Sequence, residues 1–303
     1  MNEERNRYMN KLFGAIEAGG TKFICAIGDK ELNIIDRVSI KTTTPEETMK
    51  QVFKFFDKYN LVSMGIGSFG PIDMNKNSSK YGYITNTPKS GWNNYNFVGE
   101  IKSKYDIPLK WTTDVNAAAY GEAYRGNARG KSSCIYITVG TGIGGGVVVN
   151  GTIFEGNGHP EMGHILVRKS ESDKFEGGCP YHSNCLEGMA SGLAIEKRWG
   201  KKAYELEDNE EVWKMEAFYI AQGIMTFSLV FNPECIILGG GVMKQEQLFP
   251  LVRKELEKLM NGYLTLPKLD EYILPPGLGD DAGITGCLLL AKDIVNIDFN
   301  VLC

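Results

Sequence analysis

Apolar positions in this chain switch between short alternating runs and longer helical spacing, and the switch occurs twice in similar order. Residues 12–40 read as short strands separated by turns. In this meander Ile16 leads into Glu17-Ala18-Gly19-Gly20-Thr21-Lys22, and Phe23-Ile24-Cys25-Ala26-Ile27 leads out. Thr44-Pro45-Glu46-Glu47 predicts a helix start, with Thr as cap, Pro in the first turn and Glu three residues after the cap. Val52, Phe53, Phe55 and Phe56 give that helix an apolar face, and the pattern extends to Tyr59. Met64-Gly65-Ile66-Gly67 reads as a buried strand running into Ser68-Phe69-Gly70-Pro71. Residues 72–96 are polar without helical period, and a loop that long in a compact chain is usually functional. Residues 109–112 form a further strand, and Asp114-Val115-Asn116-Ala117 opens a helix.

The second half repeats the plan. Ile135-Tyr136-Ile137 leads into Thr138-Val139-Gly140-Thr141-Gly142-Ile143-Gly144-Gly145-Gly146, and Val147-Val148-Val149 leads out. Asn150-Gly151 then marks a type I′ hairpin. Residues 156–190 are irregular and crowded with Gly, His and Cys. Helical patterns follow over 192–200 and 211–231, then a strand over 234–238 ending at Gly239-Gly240-Gly241, a helix over 244–260 and a last helix over 281–295. No low-complexity linker separates the halves, so the boundary is expected as a hinge near 113–120.

Composition narrows the class. A chain of 303 residues corresponds to about two domains. With 43% hydrophobic and 23% charged residues it reads as an ordinary globular protein. The net charge of −4 offers no electrostatic footprint for nucleic acid or an anionic membrane. No run approaches the ~20 apolar residues of a membrane span, and residues 1–11 are polar, so no signal peptide is expected and the expected compartment is the cytoplasm. Cys25, Cys134, Cys235 and Cys287 lie in apolar runs and read as buried small hydrophobes, whereas Cys303 is terminal and uninformative. Only Cys179 and Cys185 have polar surroundings.

The two glycine turns match neither the G-x-x-x-x-G-K-[ST] loop nor a strand–GxGxxG–helix unit, because a strand follows each. Glycines there permit positive φ, so amides can converge on an anion. Two such hairpin turns facing each other suit a nucleotide held between related domains. Lys22 is either a point charge for a phosphate or solvated surface. Gly239-Gly240-Gly241, between a strand and a helix, would let backbone approach a nucleotide closely.

Asp114 stands where a strand passes into a helix. It is either an N-cap or, in a kinase, the carboxylate that takes the proton of an attacking hydroxyl. His164, Cys179, His182 and Cys185 supply two imidazoles and two thiolates, a tetrahedral set for zinc. Two free thiols or a Cys179–Cys185 disulfide are the alternatives. The disulfide is disfavoured in a reducing compartment and would leave both histidines unexplained. Four protein ligands close the shell, so the metal would order a loop without activating water. Glu161 and Glu187 flank this cluster as acceptors for sugar hydroxyls or as solvated charge, and His159 reads as a loop histidine capping a turn.

Together these motifs resemble the ROK family of sugar kinases, within the actin-like ATPase superfamily, from Gly14 to about Lys292. Glu17 to Lys22 resembles the first phosphate loop and Thr138 to Gly146 the second. Asp114-x-Asn116-Ala117-Ala118 is similar to the catalytic aspartate segment. Glu161-Met162-Gly163-His164 and Cys185-Leu186-Glu187-Gly188 resemble the sugar- and zinc-binding stretches. Ser68 to Asp73 and Tyr81 to Trp92 look like the fructokinase branch. So do Glu17 where Asp is usual, Thr113 where glucokinases carry Asn, and His182 where a third cysteine is typical.

The resemblance implies an α/β, two-domain actin-like ATPase (ribonuclease H-like) fold with an interdomain active-site cleft and a zinc-bound loop. Residues 1–116 plus 288–303 would form the small domain, and 117–287 the large domain with the zinc loop and adenosine site. ATP and Mg²⁺ are the implied cofactors, with structural Zn²⁺ on His164, Cys179, His182 and Cys185. Nucleotide contacts would fall on Gly19, Gly20, Thr21 and Lys22, on Gly140, Thr141 and Gly142, and on Gly188, Gly239, Gly240 and Gly241. Asp114 would be the general base, with the hexose held by Gly70, Asn86, Thr113, Glu161, His164 and Glu187. The implied reaction moves the γ-phosphate of ATP to the 6-hydroxyl of D-fructose, with mannose, glucose or N-acetylmannosamine as alternative acceptors. A homodimer is implied. The different-class reading is a sugar-responsive regulator; such relatives carry an added helix-turn-helix domain, for which about ten residues before the first strand leave no room.

Overall fold

The computed structural model describes residues 11–300; the polar N-terminal segment before them and Cys303 lie outside the described residues. The chain divides into two compact units. One comprises the residues up to Gly121 with Phe154–His159 and those from Asp281 onward; the other comprises Glu122–Ile153 and Pro160–Asp280.

In the first unit β1 (Leu12–Ala18), β2 (Lys22–Gly28) and β3 (Ile34–Lys41) form the expected antiparallel meander. Helix α1 (Pro45–Phe56) begins as its sequence predicts, with the Thr44 hydroxyl accepting from the Glu47 N–H at 3.4 Å. It stops one residue before Asp57 instead of continuing to Tyr59, because the Asp57 N–H closes the last turn on Phe53 and the Tyr59 hydroxyl turns away to donate to Asp36. Strand β4 (Leu61–Ser68) pairs in parallel with β1.

Inside the polar loop a short antiparallel pair forms between β5 (Tyr83–Ile84) and β6 (Tyr95–Asn96), followed by α2 (Phe97–Lys104). Asn96 caps α2 through the Gly99 N–H. Only Phe97, Val98 and Ile101 of this helix are buried, too few for a clear helical period in sequence. Trp92 pins the loop: it is fully buried, its ring packs 5.3 Å from Phe23, and its Nε1 donates to the Thr43 carbonyl at 2.8 Å. Strand β7 (Leu109–Thr113) then leads directly into α3 (Asp114–Arg125). The sheet order is β3-β2-β1-β4-β7, with β7 parallel to β4.

A C-terminal helix (Ala282–Asn300) packs on this sheet at backbone distance. A Cβ on Gly65 would sit 1.9 Å from the Cys287 carbonyl oxygen, and one on Gly286 would sit 1.7 Å from that of Ala117. Only glycine permits both approaches.

The second unit repeats the strand plan. Strands β8 (Ser133–Val139), β9 (Ile143–Val149) and β10 (Thr152–Ile153) are antiparallel, with Asn150 and Gly151 at φ 50° and 71° in the expected hairpin turn. Helices α4 (Leu186–Ala190), α5 (Gly192–Trp199) and α6 (Glu210–Phe231) follow, then β11 (Cys235–Gly239), α7 (Leu248–Met260), α8 (Leu269–Tyr272) and β12 (Ile273–Leu274). The α7 helix starts at Leu248, later than the periodicity implied. Pro250 lacks an N–H and fits only a first turn, while 242–244 take a 3₁₀ turn instead. The order β10-β9-β8-β11-β12 has the connectivity of the first sheet.

The four cysteines read as core are buried: Cys25, Cys134, Cys235 and Cys287. Burial pushes the Cys134 thiol up to about 12 and that of Cys235 to about 11. Among the described residues no helix is long and apolar enough to cross a membrane.

Candidate active site

The first glycine turn joins β1 to β2. Its carbonyls are occupied from outside the hairpin: Gly19 O accepts from the Thr42 hydroxyl at 2.8 Å, Thr21 O from the Thr42 N–H at 3.0 Å, and Gly20 O from the Lys89 ammonium. Lys22 is exposed at the start of β2. Neither Gly19 nor Gly20 takes the positive φ expected from sequence, and the same holds for Gly140 and Gly142 of the second turn. Three-residue connections between paired strands suffice to turn the chain, and the Gly19 N–H closes its turn on Lys22 O at 3.0 Å.

Asp114 opens α3 but is not its cap. The Thr113 hydroxyl accepts from the Asn116 N–H at 3.1 Å, leaving Asp114 Oδ1 on its neighbour Val115 N–H at 2.9 Å. Asp114 is partly buried at the end of a parallel strand, where ligand sites of open α/β sheets collect. Glu17, at the end of β1, has its carboxyl against Gly283. Its Oε2 is buried with no hydrogen-bond partner among the described residues. Burial first, and then the negative charge of Asp114, push the Glu17 carboxyl up to about 7. A buried, partnerless carboxylate oxygen beside a second carboxylate is a donor set that fits a hard divalent cation such as magnesium.

In the second unit the β8–β9 turn carries Gly140, Thr141 and Gly142, and Gly239 pairs with Thr138 on the neighbouring parallel strand. The two glycine turns of this unit therefore lie side by side at the same end of the sheet, where the parallel strands β8 and β11 finish. Gly240 takes φ 92°, and a Cβ there would sit 2.4 Å from the Val139 carbonyl oxygen. The Gly140 carbonyl accepts from the Gly192 N–H at 2.7 Å, which brings the start of α5 to the same place. Glu187 Oε2 accepts from the Ile143 N–H at 2.9 Å, just past the turn.

His164, Cys179, His182 and Cys185 come together, with their ligand atoms all within 4.8 Å of one another. His164 Nδ1 lies 3.8 Å from Cys179 Sγ and 3.7 Å from Cys185 Sγ, and His182 Nδ1 lies 3.9 Å from Cys179 Sγ. A tetrahedral zinc with ordinary Zn–S and Zn–N bonds sets ligand atoms about 3.4–3.8 Å apart, so the donor set and spacing fit that ion. Burial pushes the Cys185 thiol up to about 11, a cost that a bound cation reverses by deprotonating the ligand outright. On the opposite side of the imidazole, His164 Nε2 stands 4.0 Å from Glu187 Oε1.

The remaining predicted residues have distinct surroundings. Gly188 is buried, and a Cβ there would meet Cys179 Cβ at 3.1 Å and the His182 carbonyl oxygen at 3.2 Å, so it packs closely against the cysteine-histidine loop. Glu161 is exposed at the start of the 3₁₀ turn Met162–His164, and Asn86 is exposed in the 72–96 loop. Gly70 follows β4, and His159 Nε2 lies 3.6 Å from where a Gly70 Cβ would be. That histidine groups with the first unit while Glu161, two residues on, groups with the second. Lys89 is a contact that sequence reading missed, since no local pattern ties it to a turn 69 residues away.

Two sheets of matching order, glycine turns after their first strands and a carboxylate opening α3 define an α/β protein of the actin-like ATPase class. The chain belongs to the ROK family, whose sequence model matches residues 13–294. It is 50% identical over 281 residues to a fructokinase of Pediococcus pentosaceus, covering 93% of this chain and 98% of that one. It is 46% identical over 293 residues to a fructokinase of Streptococcus mutans, covering 94% and 99%. Among solved structures, a ROK hexokinase from Thermus thermophilus superposes with a TM-score of 0.79 at 24% identity, covering 94% of this chain and 99% of that one. A ROK family glucokinase from Streptomyces griseus, in complex with glucose and AMPPNP, gives a TM-score of 0.74 at 24% identity and covers 93% and 99%.

Proposed function

We propose that this chain is an ATP-dependent fructokinase that transfers the γ-phosphate of ATP to the 6-hydroxyl of D-fructose. The observation that carries the acceptor is the near full-length likeness to fructokinases. The placement of Asp114 supports the chemistry, since it lies partly buried at the end of β7 while the neighbouring Thr113 serves as helix cap. The Asp114 carboxylate accepts the 6-hydroxyl proton as that oxygen attacks the γ-phosphorus and ADP departs. Such a base contributes ~10²–10⁴-fold, and positioning with charge neutralisation supplies much of the rest.

The turns Gly19-Gly20-Thr21-Lys22 and Gly140-Thr141-Gly142 take the phosphates, the first of them through the amides of Gly20 and Thr21, while Gly188 and Gly239 to Gly241 serve the adenosine side. Gly70, Asn86, Thr113, Glu161, His164 and Glu187 hold the hexose. Magnesium, when bound, neutralises charge on the phosphates, and Glu17 is the carboxylate suited to hold it. His164, Cys179, His182 and Cys185 hold a structural zinc that orders the loop bearing Glu161 and Glu187. The enzyme works in the cytoplasm as a homodimer, without nucleic-acid or membrane partners.

The test is ADP release from purified protein with Mg²⁺-ATP against fructose, mannose, glucose and N-acetylmannosamine side by side. The expected result is the highest kcat/KM on fructose. Preference for another hexose overturns the acceptor and keeps the kinase. No turnover on any sugar, with zinc present, overturns the enzyme reading in favour of a sugar-responsive regulator.

A further inference from the structure

We propose that Lys89 is a positioning residue that sets the direction of the Thr21 N–H in the first glycine turn, and so links the 72–96 loop to nucleotide binding. The identity of the anion at that turn rests on the kinase reading above. In a trans peptide the C=O and N–H point in opposite directions, so whatever holds the carbonyl also aims the amide. The Thr42 hydroxyl holds Gly19 O, which turns the Gly20 N–H away from Thr42; the Lys89 ammonium holds Gly20 O, which turns the Thr21 N–H away from Lys89. Gly20 and Thr21 are exposed, and their N–H groups make no hydrogen bond among the described residues. Two adjacent, unengaged amides held in fixed directions form an anion-binding element, and glycine alone would leave those peptide planes free to rotate.

The lysine is itself held in place. Its N–H donates to the Thr87 hydroxyl at 3.3 Å, and its carbonyl accepts from the Trp92 N–H at 3.1 Å. Trp92 is fully buried and bonds through Nε1 to the carbonyl of Thr43, the residue after Thr42. Both donors that hold the turn's carbonyls are thus tied together by one buried indole. An ammonium on the turn also adds a point charge where phosphate charge would collect.

The variants Lys89→Met, which keeps the apolar stem and removes the donors, and Lys89→Arg, which keeps a cationic donor, separate positioning from packing. Calorimetry measures the affinity of each for ADP with Mg²⁺, and steady-state kinetics separates KM for ATP and for fructose from kcat. Lys89→Met is expected to weaken ADP binding and raise KM for ATP roughly tenfold, as loss of a charge-assisted hydrogen bond does. The change in KM for fructose should be smaller and the melting temperature unchanged, and Lys89→Arg should recover most of the loss. Nucleotide binding by Lys89→Met within twofold of wild type overturns the proposal. So does equal weakening for ATP and fructose together with a lowered melting temperature. A wild type that binds ADP but phosphorylates no hexose overturns the kinase reading and leaves the binding comparison standing. A wild type that binds no nucleotide overturns both.

Discussion

His164 and Glu187 stand 4.0 Å apart, Nε2 to Oε1, while the other ring nitrogen of His164 faces two cysteine sulfurs at 3.7 and 3.8 Å. Glu187 in turn accepts from the Ile143 N–H beyond the β8–β9 turn. One imidazole and one carboxylate therefore connect the cysteine-histidine cluster to the second glycine turn. A metal on Nδ1 leaves Nε2–H directed toward Glu187, the usual second-sphere arrangement of a ligating histidine.

Stripping the metal, or the substitution Cys179→Ser, should abolish stoichiometric zinc and weaken fructose binding about tenfold or more, as a lost ligand or its hydrogen-bonded neighbour does. Elemental analysis and calorimetry with fructose check this together. Zinc-free protein that binds fructose as tightly as before would show that the cluster has no part in ordering the sugar-side loop.

Glu187→Ala removes both the acceptor of the Ile143 N–H and the carboxylate facing His164. Leaving a partly buried donor unsatisfied costs ~1–3 kcal/mol. Glu187→Gln keeps an acceptor of the same reach. The alanine variant should lower the denaturation midpoint and the fructose affinity. The glutamine variant should recover the midpoint more than the affinity, and equal recovery of both would argue against a charge-dependent sugar contact.

Asp114→Asn should fold with an unchanged melting temperature, since the cap of α3 is Thr113, and should lose at least about a hundredfold in kcat. Single-turnover phosphoryl transfer measures the chemical step. Near-normal turnover would remove Asp114 as the base.

Gly240→Ala places a Cβ 2.4 Å from the Val139 carbonyl oxygen on a backbone at φ 92°. It should destabilise the protein by about 2 kcal/mol or more in chemical denaturation. Weaker ADP binding should accompany the loss, because β8 and its turn must shift to admit the methyl group. Unchanged stability would mean the two turns separate easily.

Glu216 on α6 is 1% exposed, and neither carboxylate oxygen has a hydrogen-bond partner among the described residues. Burial holds its carboxyl well above the ordinary 4.5, opposed by the charge of Arg198. The folded state thus retains a proton that the unfolded state releases above that value, so this residue's contribution to stability falls as pH rises. Glu216→Gln should match wild type near pH 4 and melt increasingly above it toward pH 8. A gap independent of pH would show that Glu216 carries the same charge in both states.

The strand–turn–strand repeat, the Thr44 cap, the Asn150-Gly151 hairpin and the buried cysteines were legible because each is encoded within a few residues. Backbone periodicity, capping chemistry and turn preferences are local, and solvent exclusion of short apolar runs needs no knowledge of the partner. The set His164, Cys179, His182 and Cys185 could be named for the same reason: few other residues bind soft metals, and three of the four lie within one short run.

Local pattern failed where two acceptors compete for one task. Both Thr113 and Asp114 can cap a helix, and only the course of β7 decides that Thr113 does so. It also failed for contacts between distant segments: Lys89 on Gly20, His159 beside Gly70, and the glycine-mediated approach of the C-terminal helix to β4. By itself, the sequence determined the repeated elements, their order and the chemically capable side chains, because those follow from neighbours along the chain. The tertiary structure alone decided which carbonyls are held, which amides are left to face a ligand and how the two oxygens of Glu187 are used, because those depend on packing between residues far apart in sequence.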